Sequence, residues 1–195
     1  MNPPTKTFRR IVTGHDAEGK ACIISETPPP RSQLVGGPGG PTFIEVWQTL
    51  ETPVSIHPRP SEPEQSGLVL APPPNGTRIR IIEFPPEGEE IRKLTGSEAR
   101  EKFQSMGGGH ASTSAEGGAL HPLMHRTKTV DYGIVLEGEI TLIVDRGETL
   151  IRAGDIVVQN GTNHAWANRS GKICRMAFVL IDGHYTNETA SPQKG

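Results

Sequence analysis

The sequence predicts an all-β fold: an antiparallel barrel or sandwich in the C-terminal half, preceded by an extended, strand-rich N-terminal part. Three observations carry this. From Ala119 onward, short apolar runs follow one another across Glu-Gly, Arg-Gly, Ala-Gly-Asp and Asn-Gly turns with no helical pattern between them, which excludes a parallel α/β sheet. Of the 18 prolines, 16 fall within residues 1–86, a distribution that suits strands and ordered loops and disfavours helix. Only Ser97 to Met106 has helical spacing, with Ala99, Phe103 and Met106 at i, i+4 and i+7.

Taken in order, Phe8 to Thr13 and Lys20 to Ser25 read as two strands of a hairpin across the polar turn Gly14–Gly19. Gly36-Gly37-Pro38-Gly39-Gly40 lacks a following Gly-Lys-Ser/Thr and opens no helix, so it reads as a loop and not as a phosphate cradle. Thr42 to Gln48 is a third strand, whose alternation puts Phe43, Glu45 and Trp47 on one side and Ile44 and Val46 on the other. Residues 51–66 form an exposed loop. Thr77 to Phe84 is a strand with β-branched residues at 79, 81 and 82, ended by Pro85-Pro86. Ser97 caps the helix and Gly107–Gly109 end it. The stretch 107–118 is a mobile loop or a lid. Seven strands then follow, at about 119–125, 130–136, 139–145, 148–152, 155–158, 163–167 and 172–181, the last central or inter-sheet because it is mostly apolar. The expected organisation is one structural domain: a strand-rich segment over 1–96 packing on the barrel, a helix and Gly-rich loop over 97–118, the barrel core over 119–183, and a loose tail over 184–195.

At 195 residues the chain can bury a full core, and a net charge of −2 supplies no field for nucleic acid or anionic lipid. The longest apolar runs are far short of a membrane span, and the first residues carry no apolar signal core. The expectation is a cytoplasmic protein with neither a nucleic-acid nor a membrane partner. Cys22 and Cys174 each lie in an apolar strand-like run and read as buried free thiols in a reducing compartment.

The stretch from His121 to Asn168 resembles the cupin superfamily, double-stranded β-helix or jelly-roll barrels with two signature motifs. The first, G(x)5HxH(x)3-4E(x)6G, is similar to His125-Arg126-Thr127, Asp131 and Gly138; the second, G(x)5PxG(x)2H(x)3N, to Gly154 through His164 and Asn168. Thr127 stands where the first motif has its second histidine, Asp131 where it has glutamate, and the proline of the second motif is missing. These departures bear on the ligand set and not on the fold. The wording of residues 124–170, with RRIVTGHDAEGK and RIRIIEFPP upstream, is similar to small single-domain cupins of bacteria and of fungal polyketide gene clusters, some labelled oxidoreductases.

Strand parity supplies an independent reading of the site. His121, His125, Thr127 and Asp131 share odd parity, and His164, Trp166 and Asn168 share even parity on a second strand, so two strands aim polar groups at one interior. His125, Asp131 and His164 together make a candidate facial triad with open positions, suited to Fe and tolerant of Mn, Zn, Ni or Cu. The candidate catalytic groups are His125, His164, Asp131 and His121; the candidate substrate contacts are Thr127, Trp166, Asn168 and Met124. Ile134 and Leu136 are expected to add to the apolar lining. Each has a plainer reading: His125 as a surface-strand histidine, His164 as a packed one, Asp131 as a turn former, His121 as structural before Pro122.

Two function classes follow. One is an enzyme acting on a small oxygenated metabolite, polyketide-derived by the resemblance, through oxidoreductase or proton-transfer chemistry (dehydration, isomerisation or decarboxylation) in the barrel mouth. The other is a sensor or carrier that binds a small molecule in the same barrel. The expected partners are a small-molecule substrate and, by analogy of fold, a second copy in a homodimer.

Overall fold

The computed structural model describes residues 8–64, 67–114 and 119–186. The expected hairpin is present: β1 (Arg10–His15) pairs antiparallel with β2 (Ala21–Thr27). Its turn is closed by Asp16, whose carboxylate accepts from the N–H groups of Glu18 and Lys20. A six-stranded sheet runs in the order β3 (Arg31–Leu34), β4 (Thr42–Thr49), β5 (Thr77–Phe84), β11 (Cys174–Asp182), β6 (Thr129–Glu137), β9 (Ile156–Asn160). A three-stranded sheet runs β10 (His164–Ala167), β7 (Glu139–Val144), β8 (Gly147–Arg152). Every pairing is antiparallel. The two larger sheets enclose one core, which includes Phe43, Ile82, Val135, Ile140, Met176 and Phe178. This is the double-stranded β-helix, and the apolar run at the C-terminus is its central strand, between β5 and β6.

Several elements depart from the expectation. Three strands of the N-terminal part, β3, β4 and β5, are half of the large sheet itself. β3 escapes a reading by apolar pattern because its four residues, Arg-Ser-Gln-Leu, hold a single apolar side chain. Strict alternation fails in β4, where the register shifts between Glu45 and Trp47. Glu45 pairs with Arg80 on the inner face, whereas Trp47 pairs with Ile79 and so lies on the outer one. A one-residue bulge accounts for this, because it resets the period of two.

No strand forms over 119–125. That segment is a turn followed by a single bridge at His125, which pairs with both Ser112 and His164. Met124 there joins a separate small cluster with Ile143, Ala165 and Ala167.

A short helix, α1 (Glu89–Arg92), precedes the expected one, α2 (Gly96–Gln104). The cap of α2 is Thr95 and not Ser97. Thr95 Oγ1 accepts from the N–H of Glu98 at 3.3 Å, and Glu98 Oε2 accepts from the N–H of Thr95 at 2.8 Å. This reciprocal capping box satisfies two helix-end donors, which Ser97 cannot do from inside the first turn. The loop after α2 is tighter than expected, with a turn of 3₁₀ helix at Gly109–Ala111, while residues 115–118 of the lid candidate lie outside the described residues. Gly138, at φ +78°, makes the Glu-Gly turn between β6 and β7. A side chain there would meet the Ile173 carbonyl oxygen at 2.8 Å.

Both cysteines are free; Cys174 is buried, but Cys22 is only partly so, on the two-stranded hairpin. The start of the expected tail is tethered: Tyr185 donates to the carbonyl of Gly161 at 2.8 Å. Residues 187–195 lie outside the described residues. Among the described residues no helix is long and apolar enough to cross a membrane.

Candidate functional site

The site begins with a single backbone pair. The N–H of His125 donates to the His164 carbonyl and the N–H of His164 to the His125 carbonyl, each at 2.9 Å. This reciprocal bridge joins the segment before β6 to the start of β10, and it sets the two imidazoles side by side, with ring centroids 4.3 Å apart. Each ring is then fixed by its own chain two residues upstream. Nδ1–H of His125 donates to the Leu123 carbonyl at 3.0 Å, and Nδ1–H of His164 donates to the Thr162 carbonyl at 2.9 Å. With the proton held on Nδ1 in both, each Nε2 keeps its lone pair.

Burial holds both imidazoles neutral. It lowers His125 to about 4, with the charge of nearby His121 adding to the effect. It drives His164 well below the ordinary histidine range, with His125 adding to the effect.

The pair opens onto a cavity of about 130 Å³. Its walls are largely apolar and aromatic, including Phe43, Ile82, Phe103, Trp166 and Phe178, and its polar lining is Arg80, Lys102, His125, Thr127, Asp131 and His164. The rings form a continuous run: Phe103 stands 4.9 Å from His125, His164 5.5 Å from Trp166, and Trp166 5.4 Å from Phe178.

Asp131 lies on the inner face of β6. Burial pushes its carboxyl up to about 6, against a hydrogen bond from Thr129 and the positive field of Arg80. Its Oδ1 is buried without a hydrogen-bond partner. The hydroxyls of Thr127 and Thr129 are 2.7 Å apart. Either hydroxyl can donate in this pair, and it stands beside the Asp131 carboxyl.

Five of the residues singled out from the sequence therefore share this cavity: His125, Thr127, Asp131, His164 and Trp166. Three do not line it. Buried His121 has both nitrogens engaged, Nδ1 accepting from the N–H of Leu123 and Nε2 against Glu87, each at 3.1 Å. It shares parity with His125 but no strand joins them, so parity carries no direction there. Asn168 spends its amide on the Phe84 and Lys172 carbonyls, both at 2.8 Å, locking the end of β10 to β5. Met124 packs in the separate cluster. Ile134 and Leu136 are not in the lining either, since Asp131 and Val135 take the inner face of β6; Leu136 is 45% exposed.

Sequence reading missed Arg80, Lys102, Phe43, Phe103 and the Gly36–Gly40 loop at the mouth. A signal for Arg80 existed, because it shares parity with Ile82 and Phe84 on a confident strand. A cation on the core face of a strand is rare and calls for a partner.

The Cupin domain family matches residues 112–181. Over 188 residues the chain is 31% identical to the Phomopsin biosynthesis cluster protein C' of Diaporthe leptostromiformis, an alignment covering 93% of this chain and 82% of that protein. It is 30% identical, also over 188 residues, to the cupin-domain-containing oxidoreductase virC of Hypocrea virens, covering 92% of this chain and 78% of the relative. The chain belongs to the cupin family. Among solved structures, the cupin domain of Schizosaccharomyces pombe Cnp3 aligns with a TM-score of 0.41 at 8% identity, covering 89% of this cupin and 87% of that chain.

The family implies a metal, and the donors of this cupin test that. The two free Nε2 lone pairs, each backed by an Nδ1–H bond to a carbonyl, are the arrangement that metal-ligating histidines adopt. Two are too few. Among the described residues no three His, Cys, Asp or Glu side chains come together as a metal-holding group. Thr127 has its hydroxyl on Thr129, and Asp131 is not grouped with the two imidazoles. The centre expected from His125, Asp131 and His164 is therefore not assembled as a three-ligand set.

Proposed function

We propose that this cupin is an enzyme of small-molecule metabolism that transfers a proton on a largely apolar, oxygenated substrate about the size of one ring. The observation that carries this reading is the fixed pair of Nε2 acceptors facing the same aromatic cavity as a desolvated carboxyl. The size fits: an apolar cavity of roughly 150 Å³ takes up benzene, and this one is about 130 Å³.

The proton affinities divide the roles. Asp131, at about 6, is ionised at neutral pH and is a stronger base than His125, at about 4. Asp131 is thus the general base, close enough to neutrality to return the proton it takes. The imidazoles have no N–H to offer the cavity, so they accept hydrogen bonds from a substrate hydroxyl and orient it. The Thr127 hydroxyl adds one more polar group to the lining. Removal of a proton next to a carbonyl and its return at another position is isomerisation; loss of hydroxide instead is dehydration.

The test is proton exchange followed by NMR in D2O on ring-sized ketones and hydroxyketones. Exchange that is lost about 100-fold or more in Asp131→Asn supports the assignment, the scale expected for a removed general base. Saturable binding with no exchange would move the protein to the class of sensors and carriers.

A second reading, an oxidoreductase, is favoured by the names of relatives such as virC. Oxygen consumption with the same compounds, together with metal analysis of the purified protein, separates it from the first.

A further inference from the structure

Arg80 sits on β5 with 1% of its surface exposed, yet it lines the cavity. Its guanidinium is held rigidly. Nη2 donates to the Val69 carbonyl at 2.7 Å, and the group lies over the Phe43 ring, 5.6 Å from the centroid. That is its single hydrogen bond among the described residues, out of five N–H donors. Nε is buried with no hydrogen-bond partner, although Glu45 Oε1 lies 3.2 Å away.

Glu45 is a shared counterion. Its other oxygen takes a hydrogen bond from Arg78 at 3.3 Å, and Arg78 does not line the cavity. This buried cluster thus sets two guanidiniums against one carboxylate, and Arg80, ion-paired to Glu45 through Nε alone, keeps donors to spare. Asp131, the other carboxylate whose charge reaches Arg80, keeps a buried oxygen without a partner on the same cavity. Among the charged groups of the lining there are two cations, Arg80 and Lys102, and one carboxylate, Asp131. A preorganised guanidinium with donors left over, in an aromatic pocket, is complementary to a planar pair of anionic oxygens on a ring.

We propose that Arg80 anchors a carboxylate of the substrate, so that the substrates of this cavity are single-ring carboxylic acids. The assignment names the substrate class for the proton-transfer reading above and rests on it. The acid group is held by Arg80, the ring by Phe43, Trp166 and Phe178, and a ring hydroxyl or carbonyl is left for Asp131 and the histidine pair.

The experiment is calorimetric titration of the full chain with benzoate and with its neutral counterpart benzamide, repeated on Arg80→Gln, Arg80→Lys and, as a control outside the cavity, Arg169→Gln. Benzoate is expected to bind about tenfold or more tightly than benzamide, the difference a charge-assisted hydrogen bond makes. Arg80→Gln should erase that preference, Arg80→Lys should keep part of it, and Arg169→Gln should leave it in place. Equal binding of the two probes to the wild type would overturn the carboxylate anchor while leaving the cavity as a ring-binding site. Binding of neither would overturn the anchor and the ring-binding reading together. A preference that survives in Arg80→Gln would also overturn it. The comparison on the wild type holds even if the Arg80 variants fail to fold.

Discussion

Asp131 and His125 share a cavity but titrate in opposite senses, and each leaves a distinct mark on stability. Burial raises Asp131 from 3.8 to about 6. The unfolded chain therefore ionises first, so stability is full below about pH 4, declines as pH rises through 6, and stays at the lower level above. Asp131→Asn cannot ionise, and it is expected to raise stability at pH 7.5 by on the order of 2 kcal/mol, measured by urea denaturation, while abolishing proton exchange. His125 behaves in reverse. Its value falls from 6.5 to about 4, so its neutral form stabilises the fold fully above pH 6.5 and that contribution is lost as pH drops towards 4. His125→Gln should flatten the acid limb between pH 6.5 and 4, as read from melting temperatures across that range. The same low affinity for protons makes His125 an acceptor of hydrogen bonds at neutral pH rather than a base.

At the scale of elements, α2 carries Phe103 and Lys102 to the cavity and is held at its start by the Thr95–Glu98 box. Thr95→Ala is expected to cost about 1 kcal/mol, the usual worth of a lost cap. Hydrogen exchange should report the loss as faster opening of residues 96–104, with β5 and β11 unchanged, and ring-sized ligands should bind more weakly. The other decisive element is the one-residue bridge between His125 and His164. Sequence spacing identified both histidines, because two runs of strand length each present a histidine near a Gly-bounded turn. It could not identify their mutual contact, which requires a fold that returns residue 164 to residue 125. Parity worked where a strand exists, so Asp131, His164 and Trp166 point inward as counted. It failed at His121, where no strand exists, at Asn168, just past the end of β10, and at Trp47, where a bulge resets it.

For the whole molecule, the outer face of the large sheet presents two rows of apolar residues in register. One runs Ile81, Ala177, Ile134, Ile156, and the other Trp47, Ile79, Val179, Tyr132, Val158; Ile44, next in the first row, is already buried. At the β9 end Ile156 and Val158 are 66% and 63% exposed, on an edge strand. We propose this face as the contact of the homodimer expected from the fold, since an apolar surface of this extent is self-complementary about a two-fold axis. Light scattering should give twice the chain mass for the wild type. Ile156→Lys with Val158→Lys should give the monomer with its melting temperature measurable and benzoate binding retained. A monomeric wild type would remove the proposal.

What the sequence determined by itself was the all-β class, the central C-terminal strand, the cupin motifs and most of the polar residues that line the cavity. Those rest on period, turns and spacing, all local properties that the chain carries before it folds. Tertiary packing alone sets which histidine is spare, that Asp131 shares its cavity with Arg80 and not with a three-ligand centre, and that this buried arginine from the proline-rich half completes the lining. Burial, and with it every shift in proton affinity, depends on what the rest of the chain packs around a residue, and neighbours far apart in sequence set that.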